Sequence, residues 1–198
     1  QLIADPASPL FVQFAQIPLA GFQRDATALL LQKILPDLTN QPQGDAVVDE
    51  VHFLTQGHPH YTTILGERLR MQPAERPLDR EVVRRAFVTE TLSSTGRIYE
   101  FCRYIYDLSL QKARGYTALK SVLDILATED GLSAAEVARK MRVSHAAASE
   151  YLRWLTEVDL LVSVTEGGGQ KPRKHYFYRD PVLRYWVAMV TRGIEVPP

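Results

Sequence analysis

Cysteine is almost missing from this sequence: Cys102, in "YEFCRYIYDL", is the only one. No intrachain disulfide can form, and a cysteine-based zinc site is not expected. A reducing, cytoplasmic setting is the simplest one for such a chain. Long apolar runs are missing too. Nothing approaches the roughly 18 residues that cross a bilayer, and no charged segment followed by an apolar one opens the chain, so no membrane partner is expected. There is also no net charge, since Lys plus Arg and Asp plus Glu are each 23. Without a global field to draw the chain onto a polyanion, any nucleic-acid contact must come from a local patch. Finally, no G-x-x-x-x-G-K-[ST] loop is present, and no apolar strand ends in paired acids. Gly167, Gly168 and Gly169 precede Gln170 and Lys171 at the wrong spacing for such a loop. Lacking a phosphate cradle and a magnesium site, the chain alone is not expected to bind ATP tightly or to hydrolyse it.

What is present is apolar material enough for a good core: 45% of the 198 residues are hydrophobic. Domains commonly run to ~100–150 residues, so two compact helical units fit best. Charge is divided unevenly between them. Residues 1 to 100 hold 9 basic and 12 acidic groups, whereas residues 112 to 179 hold 11 basic and 8 acidic. The chain opens on Gln1 in a segment, residues 1–22, whose three prolines and alternating pattern suit extended structure. That opening suggests a piece of a longer protein.

Helical periodicity begins at Gln23, with Ala26, Leu29, Leu30, Ile34 and Leu35 as the apolar positions and Pro36-Asp37 as the stop. A second helix is predicted over about Asp45 to Thr55, with Val47, Val48, Val51 and Leu54 inward and Gly57 ending it. Pro59 suits the first position of a third helix, because its missing N–H would be unpaired there anyway. Tyr61, Ile64, Leu65 and Leu69 form that helix's stripe. Asp79 is the expected N-cap of a fourth helix that buries Val82, Val83, Ala86 and Phe87. A helical domain at 23–95 is thus expected, then a connecting helix at 96–111 rich in aromatics (Tyr99, Phe101, Tyr104, Tyr106).

The most informative stretch follows. Leu119, Val122, Leu123 and Leu126 mark one helix, and Gly131 ends the turn after it. Ser133 and Glu136 form a capping box that starts a second helix. Ser144 caps a third, burying Ala147, Ala148, Tyr151, Leu152 and Leu155. "LLVSV" and "KHYFY" are β-prone runs around "TEGGGQKPR", which reads as a hairpin. This is the pattern of a winged helix-turn-helix over 112–190, followed by a tail at 191–198. The expected fold is mainly α, with a small β-hairpin. In helix-turn-helix proteins the second helix of the pair enters the major groove. Here it would present Ser144, His145, Ser149 and Arg153, while Lys171, Arg173 and Lys174 on the hairpin would meet phosphates. Four or five scattered cations are a small electrostatic footprint, and Glu150 lies on the same face.

Three strings widen the picture: "SPLFVQF", "FLTQGHPHYTTILGERL" and "FYRDPVLRYWV". Together they resemble the C-terminal half of a family of AAA-type P-loop ATPases common in archaea and bacteria, related to signal-transduction or origin-recognition proteins. The resemblance covers nearly the whole chain and implies a nucleotide core upstream, then a helical lid, then a winged helix. It implies that Gly57, His58 and Pro59 lie near the adenine of an ATP or ADP bound with magnesium by the missing N-terminal core. It also implies a helix after Asp180 and Pro181. Gln13 stands where that family often has an arginine. The partners implied are duplex DNA, the ATPase core and further copies of the chain.

Two other classes remain open. One is a protein-interaction module that never meets nucleic acid, which the neutral charge balance and Glu150 favour. The other is a free-standing winged-helix regulator. His58 and His60, two apart, do not share a helix face, which argues against a metal pair. His145 lacks a neighbouring acid to orient its imidazole for nucleophilic catalysis. Cys102 suits a small core position, and Tyr176, Phe177, Tyr178, Tyr185 and Trp186 suit packing more than base stacking.

Overall fold

The computed structural model describes residues 20–73, 77–110, 115–166, 173–194 and 196–197. Most of the expected extended lead-in, including Gln13, lies outside these residues, as do Gly167 to Lys171. Within them the chain is mainly helical, with a small antiparallel sheet. The elements run α1 (Arg24–Ile34), α2 (Gly44–Thr55), α3 (Pro59–Arg70), α4 (Arg80–Leu92), α5 (Arg97–Leu110), α6 (Tyr116–Thr128), β1 (Leu132–Ser133), α7 (Ala134–Met141), α8 (His145–Glu157), β2 (Leu161–Glu166), β3 (Arg173–Tyr178) and α9 (Pro181–Val190). A short 3-10 turn, Leu38–Asn40, links α1 to α2.

Local chemistry explains most of the boundaries. Pro59 opens α3 at its first turn, Asp79 accepts from the Val82 amide at 2.8 Å, and Ser133 with Glu136 closes a complete capping box on α7. Asp180 caps α9 through the amides of Val182 and Leu183, at 2.8 and 3.2 Å. The stripes of α3, α4 and α6 are buried as their spacing predicts.

The inward face of α1 differs from expectation. Thr27 and Leu31 are buried, whereas Leu29 is 62% exposed. The run Leu29-Leu30-Leu31 makes the helix apolar over a wide arc, so periodicity alone does not choose a face. Packing chooses it. Gly66 of α3 lets Leu31 and Ile34 come so close that a Cβ there would stand 3.1 Å from each, and Thr27 is bonded to His52 of α2 at 2.9 Å. On α2, Leu54 is only partly buried and Thr55 takes the inward position instead, hydrogen-bonded to Thr62 at 3.0 Å. On α5, Tyr99 and Tyr106 are buried but Tyr104 is 63% exposed. On α8, Ala148, Leu152 and Leu155 are buried, while Ala147 and Tyr151 are only partly so.

The sheet has the order β1-β3-β2, with Leu132 opposite Tyr176 and Leu161 opposite Tyr178. β1 was not legible in the sequence: two residues cannot show a period, and the second, Ser133, is already the cap of α7. The return helix α9 binds the structure together. Trp186 meets Tyr99 and Tyr106 of α5 edge to face, with ring centroids 5.5 and 5.7 Å apart, and Tyr185 lies 5.8 Å from Phe87 of α4. On the other side Arg184 donates to the Ala127 carbonyl of α6 at 3.2 Å. The buried apolar residues from Leu31 to Val187, Leu92 apart, form one cluster.

The two neighbouring leucines of α1 give a direct check on its orientation. Leu31→Ala should lower unfolding free energy by ~2–5 kcal/mol, the usual cost of emptying a fully buried site. Leu29→Gln should change it by less than about 0.5 kcal/mol. Urea denaturation of each variant measures both.

Candidate functional site

Two places gather the residues that carry chemistry. The first is the α2–α3 junction. Gln56 and Gly57 both take left-handed backbone conformations, with φ of 50° and 67°. The Gly57 carbonyl accepts from the Phe22 amide at 2.8 Å, and a Cβ at position 57 would stand 2.2 Å from the Phe22 carbonyl oxygen. Glycine is required twice here, for its φ and for the approach of a second backbone strand. The chain's own segment therefore covers Gly57, which leaves Pro59, exposed, and the half-buried ring of His58 to meet any ligand.

The ring of His58 lies against that of Tyr61, centroids 4.4 Å apart, and its Nδ1 is enclosed without a hydrogen-bond partner among the described residues. Burial pushes the His58 imidazole below its ordinary value, an effect that the charge of Asp180 partly opposes. Beneath it Tyr61, wholly buried, donates its hydroxyl to Asp180 Oδ2 at 2.5 Å. One Asp180 oxygen thus caps α9 and the other holds α3. Burial raises the Tyr61 phenol far above its usual range, so it remains a donor. Cys102, with its sulfur 3.9 Å from the same hydroxyl, is fully buried and pushed up to about 12 by that burial; it is a core residue without thiolate character.

The network continues beyond α9. Arg184 Nη1 stands 3.5 Å from Asp130 Oδ2, and Asp130 Oδ1 accepts from the Tyr178 amide of β3 at 3.2 Å. The Tyr178 hydroxyl donates to the Leu123 carbonyl of α6 at 2.8 Å. A line of polar contacts thus runs from the start of α3 to the anchored end of β3.

The second place is an open cleft of about 680 Å³ between α7, α8 and β3. It brings together four of the seven side chains expected to meet DNA: His145 and Ser149 from α8, Arg173 and Lys174 from β3. Among the described residues, no carboxylate lies within ion-pair distance of Arg173 or Lys174. The one acid lining the cleft, Glu136, is committed to the Ser133 amide and hydroxyl, at 2.8 and 2.6 Å, which hold its carboxyl below the usual range. Ser144 is spent as the cap of α8, accepting from the Ala147 amide at 3.2 Å. Arg153 lies outside the cleft, bonded to Glu150 and Glu157. Lys171 lies outside the described residues.

Sequence reasoning missed His175 and Tyr176 as cleft residues. His175 bonds through Nδ1 to the Gly131 carbonyl at 2.8 Å, a register effect of the β1–β3 pairing. Alternation in "KHYFY" was the only available signal. The Tyr61–Asp180 pair had none, being 119 positions apart.

Among the described residues, no group of His, Cys, Asp and Glu is arranged to hold a metal ion, and no helix is long and apolar enough to cross a membrane. No protein-family model matches the chain, and no curated protein or solved structure matches it either. The functional case therefore rests on the geometry.

Two outcomes follow from the first place. Because the His58 pKa is lowered on folding from its ordinary 6.5, the unfolded chain takes up that proton first as pH falls. The stability lost on this account is nil well above pH 6.5 and grows below it. His58→Gln should therefore show a smaller drop in urea midpoint than the parent between about pH 7.5 and about pH 5.5. Tyr61→Phe should cost ~1.5–3 kcal/mol, the range for a hydrogen bond to a charged group. Asp180→Ala should cost more, since it also removes a cap worth ~1 kcal/mol. A double-mutant cycle in urea should return a coupling of ~1 kcal/mol or more between them.

Proposed function

We propose that this chain is the helical lid and winged helix-turn-helix module of an AAA-type ATPase, and that duplex DNA is its output partner. The single observation that carries the DNA half is the cleft, where Arg173 and Lys174, free of carboxylates among the described residues, share one recess with His145 and Ser149. Cations without internal partners are available to phosphates. The succession α6, β1, α7, α8, β2, β3, with a three-residue turn between α7 and α8 and the sheet order β1-β3-β2, supports the winged-helix assignment.

The lid half is supported by the α2–α3 junction. The half-buried ring of His58 and the exposed Pro59 offer a surface to a purine, while Gly57 serves to seat the chain's own backbone. The residues present fit a base-contacting role and supply no phosphate cradle, so nucleotide hydrolysis would belong to an upstream core. The contacts through Tyr61, Asp180, Arg184 and Asp130 provide the route by which a change at His58 would reach β3. Two discrete arrangements of that route would make it a switch.

A second reading, docking onto a protein surface through α8, is favoured by one observation. The exposed face of α8 carries two glutamates against one arginine, which suits a cationic protein surface better than a polyanion.

Fluorescence anisotropy with duplex DNA at low salt separates the two. The DNA assignment expects weak binding with a log–log salt slope of about −2, since each phosphate neutralised contributes ~0.9. Arg173→Ala with Lys174→Ala should weaken it about 10-fold or more and reduce that slope toward zero. An undetectable complex at low salt, or one indifferent to the double substitution, would sink the DNA assignment.

A further inference from the structure

Resting on the DNA assignment above, we infer that the cleft grips a duplex chiefly by its phosphates and that α8 makes no two-pronged base contact, because Glu150 and Glu157 withhold Arg153. The most discriminating base contacts from a helix in the major groove are two-pronged: arginine or lysine to guanine, asparagine or glutamine to adenine. α8, "HAAASEYLRWLTE", contains no lysine, asparagine or glutamine, and one arginine. Arg153 is the only residue on it that could supply such a fork.

That fork is already filled. Nε and Nη2 of Arg153 bond the two oxygens of Glu150, at 3.1 and 2.5 Å, and Nη1 bonds Glu157. Both usable edges of the guanidinium are taken by carboxylates of its own helix. The hydrogen bonds to Arg153 hold Glu150 below the usual carboxylate range, so this acid stays ionised at neutral pH. Exposed ion pairs are individually weak, and a good ligand could displace one. The charge count is not displaced with it. Glu150 and Glu157 against Arg153 leave that half of the helix at −1 in any rotamer, which opposes an approaching phosphate backbone.

The other end is less negative. Arg173 and Lys174 are balanced by Glu136, tied back to Ser133, and by Glu166, the strand partner of Arg173. The formal charge therefore falls from zero at the start of α8 to −1 at its middle and end. A duplex is held at the start of the helix and along β3, and is kept away from Arg153 in the middle of the helix. Contacts restricted to phosphates fix position and carry no sequence information directly.

The test uses the full chain, two duplexes of about 20 base pairs, one A·T-rich and one G·C-rich, and anisotropy over a salt series. The expected result is affinities for the two duplexes within about 3-fold of each other. Glu150→Gln with Glu157→Gln, both at exposed positions, should then tighten binding to both duplexes about 10-fold and steepen the salt slope by about one phosphate, as Arg153 becomes available. Circular dichroism confirms that the variant keeps its helices. Discrimination between the duplexes beyond about 30-fold in the parent, or unchanged affinity in the folded variant, would overturn the inference while leaving DNA binding intact. Absence of any complex with the parent chain would overturn the DNA assignment and this inference with it.

Discussion

The carboxylate of Asp180 is the point on which the arrangement depends. One of its oxygens satisfies two backbone amides that α9 would otherwise leave unpaired, and the other takes the hydroxyl of the buried Tyr61. A single side chain thereby decides where α9 begins and how that beginning sits against α3. The indole and phenol rings of α9 then reach α4 and α5, and its Arg184 reaches α6 and Asp130. Were the hydroxyl of Tyr61 removed, a charged oxygen inside a mostly apolar setting would lose its partner, a costlier event than losing a contact between two neutral groups.

Charge elsewhere is largely self-satisfied. Glu50 and Glu90, both buried, are answered by Arg84 at 2.7 Å and by the Arg97 amide at 2.9 Å, which ties α2 to α4 and α4 to the start of α5. Arg24 on α1 answers Asp45 and Asp49 on α2. Arg173 and Lys174 make no ion pair among the described residues, a state they share with Arg139 and Arg142, and what sets them apart is the recess they share with His145 and Ser149. The same accounting on α8 leaves a surplus of acid. On the proposed DNA assignment, the polyanion contact is local and its dependence on salt shallow.

Much of the fold was legible along the chain. Caps at Asp79, Ser133 and Ser144, proline at the first turn of α3 and the stripes of α3, α4 and α6 are effects that act over three or four residues, and such effects are written in local order. The face of α1 was not legible, since three consecutive leucines present apolar surface over too wide an arc and the choice fell to Gly66 and His52 on other helices. Nor was β1, whose two residues owe their strand conformation to the backbone of Tyr176. Among the site residues, the grouping of His145 and Ser149 followed from their i, i+4 spacing. The commitment of Arg153 to two flanking glutamates could have been read from the same spacing, and only the rotamers show that both edges are filled.

The sequence by itself determined the helical content, the start of nearly every helix and the hairpin, because each of these depends on residues close in the chain. Tertiary structure alone decided that Gly57 is covered by the backbone of Phe22, that Tyr61 and Asp180 share one hydrogen bond, and that Arg173 and Lys174 line one cleft with His145 and Ser149. Those outcomes depend on groups tens of residues apart in the chain, brought together by packing. No local pattern encodes such a distance.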